Sequence, residues 1–117
     1  MLEEKAKDLG RLIGQSPEYK ALKRSSEALN EDHEAVALLQ QMETLRIEAQ
    51  QLIQRGENPT PEMEQQLDTM LETIQSQPAY QRAVSAQENF DKLMLRVNQW
   101  IMDGMKKGAA SPIITLS

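Results

Sequence analysis

The one histidine of this chain, His33, stands in Glu31-Asp32-His33-Glu34. An imidazole among carboxylates could hold a metal ion if a second imidazole sat one helical turn away. The zinc pattern H-E-x-x-H places it at position 37, which is Ala37. His33 is therefore read as part of a solvated helix start. Glu64, Asp68 and Glu72 recur every four residues and would form a carboxylate ladder on one helix face, suited to a divalent ion or a basic partner. The competing reading is an outer face opposite Met63, Leu67, Met70 and Ile74. Like charges at this spacing cost only about 0.2–0.5 kcal/mol per pair, so the solvated face needs no special explanation and is preferred. Two-metal helical bundles also use Glu-x-x-His, which is missing. The sequence contains no cysteine, which removes disulfides, thiolate metal sites and thiol nucleophiles. It has no G-x-S-x-G elbow, phosphate-cradling loop or dinucleotide fingerprint. No catalytic, cofactor-binding or metal-binding residues are expected, and the chain is not expected to be an enzyme.

Charge narrows the partners. The net charge is −5, and the only adjacent basic pairs are Lys23-Arg24 and Lys106-Lys107. Direct nucleic-acid binding, which rests on a clustered basic surface, is not expected. No apolar run approaches the roughly 20 residues that span a bilayer. The start Met1-Leu2-Glu3-Glu4-Lys5 lacks the order of a signal peptide, so a cytoplasmic location is expected.

The elements that carry these residues are marked by their punctuation. Ser16-Pro17-Glu18 and Thr60-Pro61-Glu62 each supply a hydroxyl cap, a proline where its missing N–H costs nothing, and an acid for the positive end of the helix dipole. Gln77-Pro78 is a third start with a weaker cap, and Asn30 before Glu31 and Asp32 a fourth. Gly56 reads as a helix stop. The map predicts five helices over 2–14, 17–29, 31–55, 61–75 and 78–107, with a single bent rod over the second and third as the alternative. One helical domain is expected over 1–108. The uncharged segment 109–117 is expected to be a flexible tail, with docking of Ile113-Ile114-Thr115-Leu116 as the alternative.

Apolar residues set the packing. Leu38, Met42, Leu45, Ala49 and Leu52 recur at steps of four and three, as do Met63, Leu67, Met70 and Ile74. Ala83, Gln87, Phe90, Met94, Val97 and Ile101 continue the pattern with one polar member. Such seams, widened by flanking Val36, Leu39 and Leu93, indicate an all-α antiparallel helical bundle with two long helices and several shorter ones. The fifth helix, at about 30 residues, would be ~45 Å long and the third ~37 Å, while a compact chain of this size has a radius of gyration near ~13 Å. The overhang predicts a homodimer joined along helices three and five. Leu38, Met42, Leu45, Leu52, Phe90, Met94, Val97 and Ile101 are the candidate interface on the seams. Trp100 and Met105, residue types favoured at interfaces, extend it; the alternative is that Trp100 closes the bundle.

Certain stretches also resemble a known family. Leu9-Gly10-Arg11-Leu12-Ile13 with Ser16-Pro17-Glu18-Tyr19-Lys20, Leu29-Asn30-Glu31-Asp32, and Pro78-Ala79-Tyr80-Gln81-Arg82-Ala83 with Glu88-Asn89-Phe90-Asp91-Lys92-Leu93-Met94 are similar to the YlbF/YmcA/YheA family of small bacterial helical proteins, over residues 5–103. The resemblance implies an all-α, dimer-forming regulatory protein. It further implies an accessory role to ribonuclease Y in mRNA processing and developmental control. Iron–sulfur ligation by cysteines is associated with that role and does not carry over to a chain without cysteine. Length and lack of cysteine resemble the YheA branch. The residues thus favour a protein-interaction or regulatory subunit, with a holdase-like chaperone as the alternative and a carboxylate-metal enzyme as a distant one. Titration calorimetry with manganese or magnesium is expected to give no heat of binding; saturable heat that disappears in Asp68→Asn would restore the metal reading.

Overall fold

A computed structural model describes residues 1–110. The order is α1 (Leu2–Gly14), α2 (Pro17–Glu31), α3 (His33–Gln54), α4 (Pro61–Gln75) and α5 (Pro78–Ala110), with no strand among the described residues. The two hydroxyl caps form as their sequences require: Ser16 Oγ accepts from the Tyr19 N–H at 3.1 Å and Thr60 Oγ1 from the Met63 N–H at 3.2 Å. Gly56 adopts φ +82°, and around it the Gly56 N–H donates to the Ile53 carbonyl and the Glu57 N–H to that of Leu52. This pairing ends α3 by satisfying its last carbonyls, and it needs a left-handed residue at Gly56.

Two boundaries differ from the expected ones. The cap between α2 and α3 is Asp32, not Asn30. Its carboxylate accepts from the Ala35 N–H at 3.1 Å, and its backbone is the only non-helical one between the two helices. Asn30 stays helical because the stronger local alternative lies two residues on, where Ala35 is wholly buried and a small side chain lets the helices approach. The two helices are therefore separate but joined by a single residue. At the other joint, the Gln81 side-chain amide donates to the Gln75 carbonyl at 2.8 Å, tying α5 to the end of α4. Helix α5 also runs three residues past the expected Lys107. Its last two residues, Ala109 and Ala110, belong to the expected tail; positions 111–117, with Ile113-Ile114-Thr115-Leu116, lie outside the described residues.

Helix α2 packs on α5 and α3 on α4, with smaller contacts at the α2–α3 and α4–α5 joints. The chain thus runs out through α1, α2 and α3, turns at Gly56, and returns through α4 and α5. The result is long and thin: a radius of gyration of 21.7 Å and extents of 67 × 37 × 19 Å, against ~13 Å for the radius of a compact chain of this length. The buried residues are Ala35, Leu45, Ala49, Ile74, Ala86 and Val97. Three are alanines, and among the described residues Ile74 is the only large side chain that is fully enclosed. The seam of α5 departs from the expected one at two places: Ile101 is exposed, and Gln87 is exposed while Ala86 takes the buried position, the Gln87 amide donating to Asp91 at 2.9 Å on the solvent side. A three-residue step from Ala83 keeps the stripe apolar where a four-residue step would bury an amide.

Two substitutions test this account. Ile74→Ala is expected to cost about 2–5 kcal/mol, and Gly56→Ala, which forces a side chain into the left-handed region, roughly 1–2 kcal/mol. Urea unfolding followed by circular dichroism measures both. If Gly56→Ala were neutral, the turn would not depend on the left-handed residue.

Candidate interaction surface

The antiparallel α2–α5 pair is fixed near the start of α2. The rings of Tyr19 and Phe90 lie 5.8 Å apart and tilted by 59°. Beside them the Arg96 guanidinium stands 3.6 Å from the Glu18 carboxylate, a partly exposed pair worth at most about 1 kcal/mol. Helix α5 continues beyond this point without α2 alongside it. Helix α1 departs from the same place through Gln15 and Ser16, meets α2 only sparsely, and has no buried residue.

The ten sequence-predicted interface residues fall into three groups. Leu45 and Val97 are buried within the chain itself, so its own helices already cover them. Leu38, Met42, Leu52, Phe90 and Met94 are half-buried, Phe90 against Tyr19. Trp100, Ile101 and Met105 are exposed, at 60, 44 and 67%. The seam of α3 is occupied by α4, so the bare part of the predicted surface is the last third of α5.

Other residues join that bare part. Leu2 and Leu12 on α1 and Leu95 and Met102 on α5 are exposed as well. The signal for α1 was present in the sequence: Leu2, Ala6, Leu9 and Ile13 share one face at helical spacing. Of the thirteen large exposed apolar residues among those described, eight lie in positions 1–12 and 95–105, on α1 with its N-cap Met1 and on the last third of α5.

No chemistry is assembled elsewhere among the described residues. No three of His, Cys, Asp and Glu converge to hold a metal ion. Glu64, Asp68 and Glu72 are exposed on α4, as is His33 at the first position of α3. The cavities are shallow surface grooves; one, between α3 and α4, is lined largely by glutamine and glutamate with Leu45 and Met70. No described helix is long and apolar enough to cross a membrane.

Comparison with known proteins places the chain. The model of a family described as control of competence regulator ComK, YlbF/YmcA, matches residues 2–106. A UPF0342 protein of Streptococcus sanguinis is 30% identical over 98 residues, covering 84% of this chain and 88% of the relative. One from Streptococcus mutans is 32% identical over 83 residues, covering 71% and 74%. One from Streptococcus gordonii is 37% identical over 71 residues, covering 61% of this chain and 63% of the relative. The matched span takes in all of α1 to α4 and nearly all of α5. Five helices in this order, with a match running from the first to the last of them, make this chain a member of the YlbF/YmcA family, described as control of a competence regulator.

Proposed function

We propose that this protein is a non-catalytic regulatory subunit of the cytoplasm that works as a homodimer and acts by contacting other proteins. The observation that carries this reading is the mismatch between core and surface. Among the described residues six apolar side chains are buried, half of them alanine, while eight large ones stand bare on α1 with its N-cap Met1 and on the last third of α5. Burial of apolar surface is the main favourable term in folding and association. A 117-residue chain that leaves so much of it uncovered gains most from a second protein surface. The family description, control of a competence regulator, supports a regulatory role. The resemblance adds that an effect on mRNA processing would be exerted through a ribonuclease of the Y type, with this chain as an accessory.

Sedimentation of the full chain at tens of micromolar is expected to give the mass of two copies, and a strictly monomeric result would reject the dimer. RNA incubated with the purified protein alone is expected to remain intact. Cleavage that copurifies with the wild-type chain through successive columns would overturn the non-catalytic part.

A further inference from the structure

Resting on the reading of this chain as a subunit that contacts other proteins, and not on its dimerisation, we propose that the groove between α3 and α4 takes up a basic amphipathic helix of a partner protein.

The groove is apolar at its floor and polar at its walls. Leu45, buried, and Met70, half-buried, lie lowest in it, and Gln40, Gln41 and Gln66 stand exposed around them. Gln66 and Met70 also line the next hollow along α4, which reaches Glu62, so the two hollows form one track. Between Ala37 and Glu48 the track follows α3 for about three turns, ~16 Å. Thr44, within it, donates its hydroxyl to the Gln40 carbonyl at 3.0 Å and makes no polar demand on an occupant. Ile47, three residues after Thr44, is 44% exposed and widens the apolar flank.

The backbone of the walls decides the conformation of the occupant. Both walls are helices, whose N–H and C=O groups are paired along their own axes. They offer no edge to which an extended chain could pair. A segment laid there has to satisfy its own backbone groups, and a helix does so. Its apolar anchors, at i, i+3, i+4 and i+7, would rest on Leu45 and Met70 and make the third helix that the α3–α4 pair lacks.

Charge decides the sign. Residues 31–75 hold ten acids and two bases, a net of −8, while the rest of the chain holds eight acids and eleven bases, a net of +3. The groove is lined by Glu48 and Glu62 and by no base. Of the two bases, Arg46 is held by Glu43 at 2.6 Å and Arg55 stands at the end of α3. Lysines and arginines beside the apolar stripe of an incoming helix therefore meet carboxylates in the groove. Glu64, Asp68 and Glu72, on the side of α4 away from Gln66 at 100° per residue, add to the field that steers it. An acidic helix would be repelled, and so would the same hairpin of a second copy.

The probe is a fluorescein-labelled peptide of leucine and lysine, ~14 residues or four turns long, with leucine at i, i+3, i+4 and i+7. Its anisotropy on titration with the full chain is expected to rise to saturation. The same peptide with glutamate in place of lysine is expected to show no rise. Two double variants each raise the net charge by two. Gln41→Lys with Gln66→Lys puts the change in the groove and is expected to weaken binding about tenfold or more. Glu64→Gln with Glu72→Gln puts it on the far side of α4 and is expected to weaken binding no more than about threefold. All four positions are exposed, and circular dichroism checks that helicity is retained. No binding of the lysine peptide at hundreds of micromolar, equal binding of the glutamate peptide, or equal loss in the two double variants would overturn the groove. A monomer that binds the peptide there would remove the dimer alone, and a dimer that ignores the peptide would remove the groove alone.

Discussion

A helix can bury only the stripe it turns toward a neighbour, and here most helices have one neighbour along their length. Helices α2 and α5 cover each other, as do α3 and α4. This pairing fixes the thin profile, the small core and the choice of buried residue types. Where two helices meet with nothing above them, the residues that become fully enclosed are those on the line of contact, and alanine is favoured there because it lets backbones approach. Ala35, Ala49 and Ala86 are the result. The wider flanks of each stripe, such as Ile47 and Leu71, remain exposed for want of a third helix.

The same constraint explains why stability is spent on the joints. Ser16, Asp32 and Thr60 each cap a helix start, and Gly56 closes a helix end with two backbone bonds. A cap contributes about 1 kcal/mol, comparable to the burial of a methylene or two. In a fold with a deep core such terms are minor. In this one, with Ile74 as the one large enclosed side chain among the described residues, they are a substantial share of what determines where each helix begins and stops.

Most of the fold was legible in the sequence because it is written in local chemistry. Pro17 and Pro61 behind hydroxyl residues, and Gly56, fix their boundaries without reference to the rest of the molecule. Asp32 was harder to identify than Asn30 because both are good caps, and tertiary approach at Ala35 decided between them. Ala86 replaced Gln87 for a similar reason: the seam continues through whichever residue costs least to bury. The interaction surface was legible only in part. A heptad stripe shows that a face will be covered, but not by which chain. Leu45 and Val97 are satisfied within the monomer, whereas Trp100, Ile101 and Met105 are not, and that distinction depends on where α2 begins relative to α5.

The out-and-back path also orders the assembly of the chain in time. Leu45 and Met70 line one groove and are 25 positions apart in the sequence, whereas Tyr19 and Phe90 are 71 apart. Closing a long loop costs more chain entropy than closing a short one, and a contact already formed shortens the loop for the next. Pairing therefore starts most cheaply beside Gly56 and proceeds outward like a zip toward the two termini. Helix α1 and the last third of α5 are reached last, so the segments with the most uncovered apolar surface are also the ones whose shape is settled latest.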